Sequence, residues 1–311
     1  MESSEARSDL IEMSPERPKT LDNRTCVYCG VGLSASNISR EHVIGRRFVP
    51  KGKLHGQWNL ILNACRRCNS RKADLEDDIS AITLQPDPWG NYGHDDVAAI
   101  EDAQRKAKDS RSRRTRKAVK DSSEEIKIRA NLGPGINLSF QFSSQPQIDD
   151  DRAFELARLQ LMAFFYMQTY KRETRRGSYW PHDYHPLMTV VRSDWGNALM
   201  AGFMRTVETW DCRMLAISAD GFFKLITRKH PSAETWAWAI EWNHNRRLVG
   251  FFGEREPAQA IVNSLPRLKA HTVYRTPNES LSSRTEVRLK EDDDTLFLVF
   301  DETVQPENAS S

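Results

Sequence analysis

Apolar positions change their spacing twice along the chain. Up to about residue 85 they come in short runs: one around His42–Val49, then a Gly/Lys-rich turn (PKGKLHG), then Trp58–Leu62. Leu75, Ile79 and Ile82 follow at three-to-four-residue spacing, which places them on one face of a helix over residues 69–84. Asp74 and Glu76 fall early in that helix, where acids complement its dipole. The predicted order is strand, strand, helix. The segment QPDPWGNYG at 85–93, with two prolines and two glycines, breaks the pattern. Residues 125–130 and 136–142 alternate apolar with polar around GPG and predict a hairpin. From about 150, Phe154, Leu156, Leu159, Leu161, Met162, Phe165 and Tyr166 predict a strongly apolar helix, with another at 197–207. Residues 214–217, 222–227, 235–242 and 248–252 read as an antiparallel meander, and a helix at 256–264 with strands near 271–275 and 295–300 completes the pattern.

These elements imply an α+β protein in four parts. Residues 1–20, polar and rich in Ser and Pro, form a disordered lead-in; 21–85 form a small module; 86–149 link it onward; and 150–311 form a larger α+β domain with an antiparallel sheet. With 39% apolar and 28% charged residues in 311, the chain can bury a substantial core. No apolar run approaches the roughly 20 residues that span a bilayer, so a cytoplasmic protein without membrane contact is expected. The net charge of +2 does not single out a nucleic-acid binder, but placement matters more than the total: residues 105–120 hold nine Lys/Arg against one Asp. That run is either an exposed basic helix that meets phosphate or a solvated connector.

Four of the five cysteines stand as Cys26-Val-Tyr-Cys29 and Cys65-Arg-Arg-Cys68, a pair of pairs suited to tetrahedral zinc. Four thiolates fill the coordination shell, so the zinc is structural. The 35 residues between the pairs leave room for a hairpin. Within them lie Arg40-Glu41-His42-Val-Ile and Trp58-Asn59-Leu60-Ile-Leu, and the second pair continues as Cys68-Asn69-Ser-Arg71-Lys72. Over residues 26–84 this resembles the HNH family of ββα-metal nucleases, in which a knuckle, an acid-His pair, an Asn-Leu and a second knuckle followed by Asn or His and a Lys occur in this order.

The resemblance implies an endonuclease that hydrolyses DNA phosphodiester bonds. His42 would be the general base, a role that its intrinsic pKa near 6.5 suits. Glu41 and Asn69 would hold a catalytic Mg²⁺ or Mn²⁺, which their oxygen donors favour. Asn59 would fix the loop carrying His42, and Arg71 and Lys72 would draw phosphate to the start of the helix. Two departures from the family pattern stand out: Glu41 replaces the commoner Asp, and the interval from Asn59 to Cys65 is one residue longer than usual. A nuclease module joined to a second domain suits restriction or anti-phage defence, and a homodimer would let one-site modules break both strands. The rival reading is a zinc-ribbon protein that binds nucleic acid without cutting it. RNA stays open as the substrate, because nothing in the metal site addresses the 2′-hydroxyl.

Other polar groups read as structural. His55 is a solvated turn residue. His182 and His185, with Trp180, Asp183 and Tyr184 beside them, belong to a Pro-containing loop. Asp74, Glu76, Asp77 and Asp78 form a solvated helix face, and Trp236, Trp238 and Trp242 share one side of a strand in the core.

Overall fold

Cys26 and Cys29 open a turn in which the Cys26 amide donates to the Val31 carbonyl and the Gly30 amide to the Cys26 carbonyl, with Gly30 at a φ of +75°. This turn is followed by β2 (Ile38–His42) and β3 (Leu60–Cys65), which pair antiparallel from Ile38 opposite Cys65 to His42 opposite Ile61. Helix α1 (Arg66–Thr83) leaves β3 without a break and starts one turn earlier than the apolar spacing predicts. A two-residue strand, β1 (Lys19–Thr20), pairs parallel with β3, so the end of the expected lead-in is part of the sheet. The computed structural model describes residues 17–87, 89–133, 136–180, 183–275 and 280–299; the rest of the lead-in and His182 lie outside them.

The expected linker holds ordered structure. Helix α2 (Val97–Asp109) is capped by the Asp96 carboxylate, which accepts from the Ala99 amide, and it buries Ala99, Ala103 and Ala107. Those alanines carry too little hydrophobicity to announce a helix by periodicity. Strands β4 (Glu124–Gly133) and β5 (Ile136–Ser144) form the hairpin predicted around GPG.

Helix α3 (Asp150–Gln168) is buried on nearly every side, and its surroundings explain why. Phe164 stacks on Trp58 with ring centroids 5.6 Å apart and on Phe223 of the sheet at 6.1 Å. The helix is therefore enclosed between the cysteine-bearing segment and a five-stranded antiparallel sheet. That sheet contains β6 (Asp183–Val191), β7 (Asp211–Ser218), β8 (Phe223–Lys229), β9 (Thr235–Trp242) and β10 (Arg246–Gly253), ordered β6-β10-β9-β8-β7. Alternation along the strands sorts side chains to two faces. Trp238, Ile240, Trp242, Leu248 and Phe252 join the core shared with α3, as expected for the tryptophans. Ala237, Ala239, Val249 and Phe251 face the opposite side, under α4 (Ala198–Val207) and α5 (Arg255–Ser264).

Two expectations need correction. The loop expected around WPHDYH gives way to a strand: Asp183 to Val191 is an edge strand, and Pro186 is accommodated where the register with β10 shifts between Val249 and Gly250. Residues 295–299 form no strand; Leu296 and Phe297 instead anchor an irregular segment on the outer face of the sheet, and the Leu298 carbonyl accepts from Arg228. The strand expected near 271 exists as β11 (His271–Arg275), paired with β12 (Ser280–Ser283).

One apolar cluster runs from Leu21 through Trp58, Phe164 and Trp242 to Phe252, so the proposed boundaries at 85 and 149 do not coincide with a gap in the core. Polar contacts cross the same way. Asn243 donates through Nδ2 to the Phe48 carbonyl at 3.2 Å and to Thr83 Oγ1 at 2.7 Å, and Ser218 donates to the Trp58 carbonyl. No helix among the described residues is long and apolar enough to cross a membrane.

Candidate active site and metal centre

The sulfurs of Cys26, Cys29, Cys65 and Cys68 lie within 4.8 Å of one another. Cys29 and Cys65 are 3.8 Å apart, far beyond the ~2.05 Å of a disulfide. They match the ~3.8 Å between two corners of a tetrahedron whose centre is ~2.3 Å from each sulfur, the zinc–thiolate distance. Burial and hydrogen bonding to Cys65 raise the Cys68 thiol above its ordinary range, and a bound cation is what would turn it into a thiolate. The donor set therefore fits zinc. The second half of the protein braces the knuckle: Tyr179 donates to the Cys26 carbonyl at 2.5 Å, and Tyr170 donates to the Asp22 carbonyl at 3.2 Å.

Beside this cluster, β2, the loop after it and α1 enclose a cleft of about 440 Å³. Arg40, Glu41, His42, Arg46, Asn69 and Glu76 are among its lining residues. His42 ends β2 and is half-buried, with Nε2 3.4 Å from the Arg46 guanidinium. Burial, and then Arg46, lower the His42 pKa below the ordinary 6.5 against the opposing pull of Glu41, so its imidazole is neutral at neutral pH. Asn59 accepts from the Ile44 amide at 3.2 Å and donates to the Ile44 carbonyl at 2.9 Å, two residues beyond His42. Asn69 donates through Nδ2 to Ser39 Oγ at 2.6 Å, leaving its carbonyl oxygen as the atom suited to a metal.

Lys72 occupies a different place from the one its motif suggests. Only 1% exposed, its ammonium is 2.8 Å from Glu41 Oε1 and 2.6 Å from Glu76 Oε1, and it donates to the His42 carbonyl at 3.1 Å. Burial disfavours this charge, but Glu41 and Glu76 outweigh burial and raise its pKa. Lys72 is thus an internal counter-ion rather than an exposed phosphate ligand. Glu41, 2% exposed, also accepts from the Tyr28 hydroxyl at 3.0 Å, and both of these contacts fall on Oε1. Any cation held by Glu41 would use Oε2. Among the described residues, no second set of three or more His, Cys, Asp or Glu donors converges as the cysteines do. A hard cation here would complete its shell with water and substrate oxygens, the usual habit of Mg²⁺.

No family model, curated protein or solved structure matches the chain, so the residues themselves carry the functional reading.

Five of the nine cations in the basic run pair with acids of the chain, while Lys108, Arg111, Arg116 and Lys117 are exposed and have no acid partner among the described contacts. Arg105 pairs with Asp102. Arg113 pairs with Asp74 at 2.8 Å and Asp77 at 3.3 Å, and Arg114 pairs with Glu124 and, at 3.0 Å, Asp149. Lys106 donates to the carbonyls of Arg47 and Val49. The same pairs show that the acidic face of α1 is not simply solvated: Asp78 is buried and meets Arg152 at 2.8 Å. Arg40, Arg46, Arg47, Arg66 and Arg67 are exposed and have no acid partner among the described contacts; the first three line the cleft, and the last two begin α1. Arg71 is exposed but paired with Glu155 at 3.0 Å, and His55 is exposed in its turn. Tyr28 and Gly45 complete the site and were not singled out by sequence, and Glu76, expected on a solvated helix face, lines the cleft and meets Lys72 and Gly45. The one available signal was the four-residue spacing of Lys72 and Glu76, which an exposed helix face shares.

Proposed function

We propose that this protein is a metal-dependent endonuclease of the HNH type that hydrolyses DNA phosphodiester bonds. The observation that carries the reading is the meeting of Glu41, His42 and Asn69 on one cleft, directly beside a four-cysteine cluster. A neutral imidazole at the end of β2 is ready to take a proton from a water molecule placed against a phosphodiester. Asn59 keeps that end of the strand in place, so the base is oriented before substrate arrives. The unpaired arginines supply phosphate contacts on both sides of His42. Glu41 Oε2 and the Asn69 carbonyl oxygen are the donors that would hold Mg²⁺ or Mn²⁺, an ion that would act as Lewis acid on the phosphate and neutralise the leaving oxygen. The zinc cluster serves a different purpose, tying the start of the module to the start of α1.

One observation favours the rival reading, a zinc-containing module that binds DNA without cutting it: the Glu41 carboxylate already has a buried cation in Lys72. The two readings separate on supercoiled plasmid. Incubated with Mg²⁺ or Mn²⁺, the endonuclease nicks or linearises it, and EDTA or His42→Ala abolishes the cut while zinc content stays equal. Intact plasmid that is nevertheless retarded on a gel selects the binding module. Restriction or anti-phage defence is the biological setting we propose for a nuclease site built into a larger α+β body.

A further inference from the structure

The four residues that follow the start of the His42 loop are held by their backbone. The His42 carbonyl accepts from Lys72, the Val43 amide donates to the Leu60 carbonyl at 2.9 Å, both backbone groups of Ile44 meet Asn59, and the Gly45 amide donates to Glu76 Oε1 at 3.2 Å. Two of these anchors come from α1, one helical turn apart, and are joined to each other: Lys72 and Glu76 lie 2.6 Å apart. We infer that Glu76 is a positioning residue for His42, forming with Lys72 a clamp that fixes the backbone at the base and three residues beyond it. This inference rests on the reading of His42 as that base.

Two features suit Glu76 to this role. A Cβ on Gly45 would fall 2.4 Å from Glu76 Oε2, so glycine is what admits the carboxylate against the loop. Lys72 also ties the clamp to Glu41, so the proposed metal-side carboxylate and the carbonyl of the proposed base share one ammonium. By contrast, the His42 imidazole has a single polar neighbour among the described contacts, Arg46. The ring is open to the cleft while its backbone is immobilised, the arrangement that a base needs to meet a substrate without searching.

The experiment compares wild type, Glu76→Ala and Glu76→Gln in the full-length, zinc-loaded protein. Three quantities are read: hydrogen exchange at the Gly45 amide, the titration of the His42 imidazole by NMR, and plasmid cleavage alongside DNA affinity. In Glu76→Ala, Gly45 exchange accelerates and the His42 titration moves. Cleavage falls roughly 10–100-fold, as for other residues that orient a site from behind, while DNA affinity stays within about twofold because the arginines are untouched. Glu76→Gln, whose amide oxygen still accepts from Gly45, recovers most of the protection. Unchanged Gly45 exchange and His42 titration in Glu76→Ala overturn the clamp, whatever cleavage does. If wild type leaves plasmid intact, the endonuclease reading fails and the clamp is still decided by exchange and titration. If wild type and Glu76→Ala cut equally, the clamp fails and the endonuclease stands. Should Glu76→Ala lose its zinc or fold, Glu76→Gln decides: Gly45 exchange equal to wild type at a markedly lower cleavage rate overturns the clamp, and partial exposure supports it.

Discussion

Asn243 tests whether the sheet and the cysteine-bearing segment fold as one unit. It is 2% exposed, sits at a φ of +54°, and is the residue through which the β9–β10 turn reaches Phe48 and Thr83. Replacement by Ala removes two buried hydrogen bonds. The Phe48 carbonyl keeps its bond from Ser80 and Thr83 keeps its own donation to Ile79, so neither partner is orphaned, and each lost bond is worth its net value of about 1 kcal/mol. Alanine in the left-handed region adds about 1 kcal/mol, since only Gly and Asn adopt it readily. The expected loss is about 3 kcal/mol for Asn243→Ala and about 2 kcal/mol for Asn243→Gly, which escapes the backbone penalty. Urea unfolding followed by tryptophan fluorescence and by far-ultraviolet circular dichroism measures both. The two probes should give one coincident transition in every variant. A loss below about 1 kcal/mol, an alanine variant no less stable than the glycine variant, or a separate early transition for one half would show that Asn243 does not join the two segments.

Other expectations follow from the site. Lys72→Met leaves Glu41 and Glu76 buried without a cation and should destabilise by about 3–5 kcal/mol at pH 7 in the same urea assay. The penalty should shrink on acidification, because Glu76, whose pKa burial already raises, takes up a proton and no longer needs the ammonium; a loss that does not change with pH would contradict the assignment. Elemental analysis should find one zinc per chain, and Cys68→Ser should lose it and lower Tm by roughly 10 °C or more. The rate of cleavage should rise with pH as His42 deprotonates and level off below the ordinary 6.5. Arg46→Ala, by removing a positive charge that depresses that pKa, should move the rising limb to higher pH; a limb that stays in place or moves down contradicts this. Replacing Arg40, Arg47, Arg66 and Arg67 together by Ala should reduce the slope of log K for DNA against log salt by roughly 3–4, about 0.9 for each phosphate contact, whereas Arg113→Ala should leave it nearly unchanged.

What could be read in advance depended on how local the determinants were. The two cysteine pairs, the His42 and Asn59 segments and the spacing of Leu75, Ile79 and Ile82 are local signals, and they led to the strand–strand–helix order. The tryptophans of β9 announced their face by even spacing. Edge strand β6 was hidden because Pro186 interrupts it and a shift in its partner absorbs the proline. Helix α2 was hidden because alanines form its buried stripe. The ion pairs of the basic run join residues as distant as Arg113 and Asp74, which no window of sequence compares. Lys72 shows the limit most clearly: a lysine followed four residues later by a glutamate reads as a surface pair, and its burial depends on a loop 30 residues earlier that folds over it.

Chemical rescue tests whether His42 takes a proton from the water that cuts DNA. A His42→Gly variant with wild-type zinc content is assayed under single turnover on an end-labelled duplex, with Mg²⁺ or Mn²⁺ and increasing imidazole. With His42 as the base, the variant is nearly inactive and its cleavage returns in proportion to free imidazole base. A variant that cuts as well as wild type, or one that imidazole leaves inactive while wild type cuts, would contradict His42 as the base.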